Sequence, residues 1–227
     1  MLNKNRLLIV LLLIAGTISA QTSQKAEKML NEVSSKVKSY DNIVIEFSYT
    51  LENKAADMKQ ETRGEVSLKD EKYRLNLMGV TRLFDGKKLY SIIPEDEEVN
   101  ISNFDPDESN GVSPSEMLTF YEKGYTYKMG EMKNMNGRMI QYIELMPKSS
   151  NAEVKKIVLG IDKQTKHIYS MRQIQKNDTE ITITVNSFKM DQPLSKNLFT
   201  FNKDKYQGYY INKLDWFLAT WTLLNFK

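Results

Sequence analysis

The stretch 72–93, KYRLNLMGVTRLFDGKKLYSII, restricts the fold more than any other part of the chain. Tyr73, Leu75 and Leu77 alternate with Lys72, Arg74 and Asn76. Side chains on a strand point alternately to opposite faces, so this run puts its apolar groups on one face and its polar groups on the other. Asp85-Gly86 then separates residues 81–84 from residues 88–93. An Asp-Gly pair between two β-type runs predicts a hairpin, because a type I′ turn needs positive φ at both central positions. The segment reads as two or three short strands folded at tight turns.

The same signal recurs. Residues 42–52 form the clearest strand, with Ile43, Ile45, Phe47, Tyr49 and Leu51 alternating with Val44, Glu46, Ser48, Thr50 and Glu52. Residues 61–68 form a second strand interrupted by Gly64, and glycine inside a strand marks a bulge or bend. Further strands are expected at 97–102, 125–132, 138–146, 155–161, 167–175, 180–190 and 198–201, about ten in all. The later ones are separated by short turns such as Asn136-Gly137, 162–166 and Asn177-Asp178. Short connections predict antiparallel neighbours. Helices are few. Residues 23–40 carry Ala26, Met29, Leu30, Val33, Val37 and Tyr40 as one apolar stripe. Ser113-Pro114-Ser115-Glu116 has the layout of a helix start, with Met117, Leu118, Phe120 and Tyr121 as its apolar surface and Gly124 as its end. No period of 20–50 residues repeats. The fold class is therefore α+β, with a sheet long enough to curl and helices filling its open side.

The first twenty residues read as an address. Lys4 and Arg6 precede an apolar run at 7–15, and 16–20 end in small residues. This is the layout of a secretory signal peptide cleaved after Ala20. The run is shorter than the roughly 20 apolar residues of a membrane span. Residues 21–227 are expected to form a single domain. The 32 basic and 29 acidic residues nearly balance, and Lys4 and Arg6 belong to the leader. No basic stripe dominates, which argues against nucleic acid as a partner. The chain has no cysteine, hence neither a disulfide framework nor a thiol to carry a lipid anchor. An exported, soluble protein is expected. The tail 216–227, WFLATWTLLNFK, holds both tryptophans, is apolar on nearly all sides and stands outside the strand pattern.

Catalytic chemistry has little to work with. Nucleophile–base pairs most often need a histidine. The single histidine, His167, sits beside a turn and reads as a surface or strand-end imidazole. A zinc site of His and Cys is excluded by count, and no Gly-rich phosphate loop is present. Glu46, Glu52, Asp96, Glu97 and Glu98 read as solvated strand faces and turns. Asp105, Asp107, Ser109 and Glu116 match four ligand positions of a calcium loop. Against this, Gly111 falls one position late, Pro106 intrudes, and Glu116 has a capping role. No enzyme activity, metal or cofactor is expected.

The apolar content points elsewhere. The chain has twelve methionines, twelve tyrosines, nine phenylalanines and two tryptophans. Methionine suits sites that accept variable apolar shapes. A sheet that curls without closing leaves an apolar trough. Burying one CH₂ is worth about 0.8 kcal/mol, so one long acyl chain reaches on the order of 10 kcal/mol.

The order of elements resembles the LolA family of periplasmic outer-membrane lipoprotein carriers. The similar features are 25–40 followed by 43–50; the step from Gly64-Glu65-Val66 to Tyr73-Arg74-Leu75; Leu83-Phe84-Asp85-Gly86-Lys87-Lys88-Leu89-Tyr90; the turn at Ile161-Asp162-Lys163-Gln164-Thr165; and Phe188 through Leu198-Phe199-Thr200-Phe201. The likeness runs from the start of the mature chain to about Asp215. It implies an incomplete antiparallel β-barrel of about eleven strands with a helical lid over an apolar concave face. It also implies a monomeric carrier that shields the acyl chains of lipoproteins and shuttles them from the inner to the outer membrane. The implied partners are acylated lipoproteins, an inner-membrane lipoprotein-release transporter and an outer-membrane acceptor. The alternative on the same fold is a lipid- or lipoprotein-sensing scaffold, similar to regulators of envelope stress.

Chosen by size and strand phase, the candidate acyl-chain contacts are Phe47, Tyr49, Leu75, Leu77, Leu89, Met117, Phe120, Tyr127, Ile143 and Leu159. Family members often carry Arg-Pro in the turn after the second strand, where the Arg is tied to cargo transfer. This chain reads Lys69-Asp70-Glu71-Lys72 there, which makes Lys69 the candidate substitute.

Overall fold

Alternating side chains become strands almost wherever the sequence carries them. A computed structural model describes residues 23–103 and 114–214. These hold twelve strands: β1 (Ile43–Asn53), β2 (Met58–Lys69), β3 (Lys72–Leu77), β4 (Val80–Phe84), β5 (Lys88–Ile93), β6 (Glu98–Asn103), β7 (Tyr125–Met135), β8 (Arg138–Pro147), β9 (Val154–Asp162), β10 (Ile168–Gln175), β11 (Thr179–Met190) and β12 (Tyr210–Leu214). They form one open sheet in the order β12-β6-β5-β4-β3-β2-β1-β11-β10-β9-β8-β7. One α-helix, α1, spans residues 23–37. The expected leader 1–20, the calcium-loop residues 105–111 and the tail 216–227 lie outside the described residues.

Three expectations need correction. The pairing is mostly antiparallel, but β12 runs parallel to β6, from Tyr210 opposite Glu98 to Leu214 opposite Ser102. Residues 198–199 lie in a turn and 200–201 have no regular structure, in place of the expected strand. The expected helix after Pro114 is two 3-10 turns, Glu116–Leu118 and Phe120–Glu122. Thr119, at φ −137°, departs from helical geometry between them. So short a stretch gains too few hydrogen bonds to offset helix nucleation.

The turns explain the register. Met78 (φ 52°) and Gly79 (φ 77°) form a two-residue turn that pairs Leu77 with Val80. Asn136 (φ 53°) and Gly137 (φ 84°) do the same for Met135 and Arg138. Both have the two positive φ values of a type I′ turn. At Asp85-Gly86 the hairpin forms as expected, but only Gly86 is left-handed (φ 96°). Asp85 Oδ1 instead accepts the N–H groups of Lys87 and Lys88, each at 2.8 Å. Burial pushes the Asp85 carboxyl up, but these bonds and one from the Tyr90 hydroxyl outweigh it and hold the group below its usual value.

The contacts divide the chain into two compact units. The first comprises, among described residues, 23–39, 51–59 and 121–183. Here Ile143 pairs with Leu159 and Leu145 with Ile157, so these four share a face. All four are buried, Ile143, Leu145 and Leu159 completely. Tyr127 pairs with Leu145 and joins that face. Its hydroxyl donates to the Tyr121 carbonyl at 2.6 Å. The Tyr121 hydroxyl in turn accepts from Ser34 Oγ of α1 at 3.1 Å. The helix therefore lies on the Ile143–Leu159 face, with Ala26, Leu30 and Val33 buried. Lys38–Glu122 and Lys166–Glu32 ion pairs, at 2.5 and 2.9 Å, flank it. On the opposite face Ile140, Tyr142 and Ser170 crowd over Gly160, where a Cβ would meet Ser170 Oγ at 2.7 Å.

The second unit comprises 40–50, 60–103, 114–120 and 184–214 among described residues. It contains β3 to β6, β12 and most of β1 and β2. Its described residues include no α-helix, only 3-10 turns.

Candidate functional site

Strand register assigns the faces of the second unit. Leu68 pairs with Tyr73, Tyr73 with Phe84, and Phe84 with Leu89. Val66 pairs with Leu75, and Gly64 with Leu77, which pairs with Val80. All of these residues lie on one face. Phe47 of β1 joins them, because its ring covers Gly64: a Cβ there would meet Phe47 Cζ at 2.5 Å. An aromatic ring laid on a strand glycine replaces the packing the missing side chain would supply.

Within this face the burial is graded. Phe47, Val66, Leu68, Tyr73 and Phe84 are buried. Leu75, Leu77, Val80 and Leu89 are only half-buried. Burial raises the Tyr73 hydroxyl to about 12, against a smaller opposing effect of Arg82. Arg82 stands opposite Leu75 and places one half-buried guanidinium on the same face. Its place on this apolar face is invisible in the sequence. Only the pairing register reveals it.

The candidate contacts divide between the units. Phe47, Leu75, Leu77 and Leu89 come together on the face just described. Tyr49, two residues along β1 from Phe47, is half-buried, and burial raises its hydroxyl above the usual value. Met117 and Phe120 are half-buried on the 3-10 segment, flanking buried Leu118. Tyr127, Ile143 and Leu159 belong to the first unit, where Ile143 and Leu159 have no exposed surface left. Tyr73, Phe84, Leu68 and Val66 lie buried on the same face, and size and phase alone did not select them. Lys69 is exposed at the end of β2, opposite Lys72. It points to the opposite face from Leu68, and so from Leu75 and Leu77.

That opposite face is polar near β1. Glu46, Ser48, Arg63, Glu65, Asn76 and Asn186 line a shallow depression there. Asn186 Nδ2 donates to Ser48 Oγ at 2.9 Å, and Lys189 pairs with Glu46 at 3.2 Å. Toward β6 this face becomes apolar and filled, with Leu83, Ile92 and Val99 buried. Tyr90, on the Leu83 side, stacks on Phe201 at 4.5 Å.

His167 takes the expected strand-end position but not a place on the surface. It precedes β10 and is buried. Burial, then the Lys36 charge, pushes its pKa below the usual value, with Asp162 partly opposing. Among the described residues no group of three His, Cys, Asp or Glu side chains is placed to hold a metal ion. No described helix is long and apolar enough to cross a membrane.

Comparison with known proteins agrees with this architecture. A structure of an uncharacterized conserved protein from Thermus thermophilus superposes with a TM-score of 0.52 at 12% identity, covering 84% of this chain and 99% of that one. The lipoprotein LppX of Mycobacterium tuberculosis superposes with a TM-score of 0.50 at 12% identity, covering 76% and 98%. At these identities the likeness concerns the fold. No curated protein matches by sequence. The profile of the family described as outer membrane lipoprotein carrier protein LolA matches residues 36–202. That match spans most of the chain and both units, and the chain belongs to the LolA family of outer membrane lipoprotein carrier proteins.

Proposed function

We propose that this protein is a periplasmic carrier that shields the acyl chains of lipoproteins and moves them from the inner to the outer membrane. The observation that carries this reading is the half-buried row Leu75, Leu77 and Leu89. It lies on the same face as the buried Phe47, Tyr73 and Phe84, in a unit whose described residues contain no α-helix to cover it. Apolar surface in this state gains free energy when an acyl chain covers it, at about 0.8 kcal/mol per CH₂. Partial exposure also keeps the affinity low enough for release, since only part of the chain's surface is desolvated. Tyr49, Met117 and Phe120 extend the proposed contact surface. In this reading the sheet curves around the cargo as a half-barrel. A transporter at the inner membrane loads the protein, which delivers to an acceptor at the outer membrane, with Lys69 serving transfer from the opposite face.

The test is native mass spectrometry of the protein purified gently from the periplasm, followed by lipid extraction. Acylated polypeptide bound one-to-one is the expected result, lost in Leu75→Glu and Leu77→Glu variants that remain folded by circular dichroism. Absence of bound lipid, with one stable protein partner instead, would replace carriage by the sensing-scaffold reading.

A further inference from the structure

The face that carries Leu75 and Leu77 changes character as register continues it across β4, β5, β6 and β12. Leu75 stands opposite Arg82, Arg82 opposite Ser91, Ser91 opposite Asn100, and Asn100 opposite Asn212. In this row the apolar side chains end at Leu75 and only polar ones follow. In the other direction the row runs from Leu75 to Val66, and the row beside it runs from Leu77 to Gly64 under the Phe47 ring. One face thus holds an apolar stretch that ends at a polar one, and Arg82 stands at the join.

The charge at the join is unbalanced. Among the register-paired residues of this face on β2 to β6 and β12, Arg82 is the only cation and Glu98 the only carboxylate. Glu98 is engaged elsewhere: its Oε1 accepts from Asn212 Nδ2 at 2.9 Å. Arg82 is half-buried, yet among the described residues its guanidinium has neither an ion pair nor a hydrogen bond. Asn100 is buried, and its amide also lacks a side-chain hydrogen bond among the described residues. No side-chain N or O atom among them is sealed off without a partner, so the Asn100 amide can be reached from this face.

A guanidinium holds its charge at any ordinary pH and presents its N–H donors in a rigid fork that matches two carboxylate oxygens. Here it has given up part of its hydration without gaining a counterion. A ligand that brings a carboxylate supplies one, through charge-assisted hydrogen bonds. Neighbouring strands lie about 4.8 Å apart, so the Ser91 hydroxyl and the Asn100 amide stand beside the same head group.

We propose that Arg82, Ser91 and Asn100 form a subsite for the carboxylate of a long-chain fatty acid, whose hydrocarbon lies along Leu75 and Leu77 toward Phe47. The subsite rests on the reading of this face as an acyl-binding wall, and it adds a ligand class. The ester and amide linkages of a lipoprotein's acyl chains carry no charge, whereas a free acyl anion does.

The experiment is equilibrium dialysis of the delipidated protein against radiolabelled tetradecanoate and, separately, tetradecanol. A purely apolar wall would prefer the alcohol, because burying a charged head group is costly. With the subsite, tetradecanoate should bind more tightly by roughly ten-fold, the lower end of what hydrogen bonds to a charged group contribute. Arg82→Gln should remove the preference through weaker tetradecanoate binding. Arg82→Lys keeps the charge without the fork and should retain part of it, with both variants folded by circular dichroism. Leu77→Glu should weaken both ligands. Failure of both ligands to bind the unaltered protein would remove the acyl wall and the subsite with it. Equal affinities, or a preference that survives Arg82→Gln, would overturn the subsite alone. Tighter binding of lysophosphatidylglycerol than of tetradecanoate would overturn its assignment to a carboxylate.

Discussion

Gly64 and Phe47 provide a test of the proposed wall, because the structure predicts that substitutions at the two positions are strongly coupled. A Cβ on Gly64 would lie 2.5 Å from Phe47 Cζ, 2.8 Å from Cε2 and 3.0 Å from the Asn76 carbonyl oxygen. Carbon atoms in favourable contact sit about 3.5–4.0 Å apart, so the ring must retreat by about 1 Å or more. Phe47 is 6% exposed, and full burial of such a ring is worth about 1.5–3 kcal/mol. Replacing glycine in a strand recovers about 0.5–1 kcal/mol of backbone entropy. Gly64→Ala should therefore destabilise by roughly 1–2 kcal/mol, the difference of these two effects. Phe47→Leu withdraws the ring edge while keeping an apolar side chain. In that background the same Gly64→Ala change should cost less and come close to neutral, as the backbone contribution then opposes only the 3.0 Å contact with the Asn76 carbonyl oxygen. Urea unfolding of all four chains, followed by far-ultraviolet circular dichroism, gives the coupling directly. An equal cost of Gly64→Ala in both backgrounds would refute the packing argument and remove Phe47 from the wall.

Three further outcomes follow from the first unit. Ser34→Ala and Tyr121→Phe should each cost about 1 kcal/mol in urea midpoint, and the double variant should cost less than the sum, because the two hydroxyls share a buried bond. His167 has its folded pKa lowered from 6.5 by burial, so the unfolded chain takes up its proton first; stability should be full above about pH 6.5, fall as the pH drops from there to the folded value, and level off below it. His167→Gln should abolish that part of the pH dependence measured by denaturant titration. Asp162 Oδ1 accepts from the Gln164 and Thr165 N–H groups at 2.8 and 3.0 Å, and Oδ2 accepts from Arg138 Nε at 2.7 Å. Asp162→Ala should cost about 2 kcal/mol by orphaning the turn N–H groups, and Asp162→Asn should restore part of it, both read from thermal melts.

Elements built on local pattern were legible in the sequence. The alternation at 42–52 and 72–77, the Asn136-Gly137 turn and the stripe Ala26, Leu30, Val33 each act within a few residues, and each appears in the structure. What depends on distant partners was not legible. Residues 198–201 have strand-like side chains, yet Phe201 is spent on stacking with Tyr90, more than a hundred positions earlier. β12 is short and follows a Gly208 turn, and its strand state comes from the open edge of β6. The half-buried state of Leu75, Leu77 and Leu89 could not be told from full burial either, since the same leucines fit both. His167 carries no local sign that Lys36 and the turn at Asp162 surround it.

The place of β1 in the sheet sets how the chain can reach this structure. β2 to β6 and β7 to β10 are successive strands that pair with their sequence neighbours, so each array can zip from local turns. β1 pairs with β2 on one side, but on the other it sits beside β11, and Asn42 is bonded to Gln192 across a sequence separation of 150. Closing so long a loop must come before the contacts that compensate it, and topologies of this kind fold in milliseconds to seconds. During that interval the apolar faces of both arrays stand open to water, and this chain has no disulfide to hold a partly folded state together. The seam between the first strand and the eleventh is therefore the step at which folding competes with aggregation, and substitutions at Asn42 should be felt in refolding yield before they are felt in the stability of the finished protein.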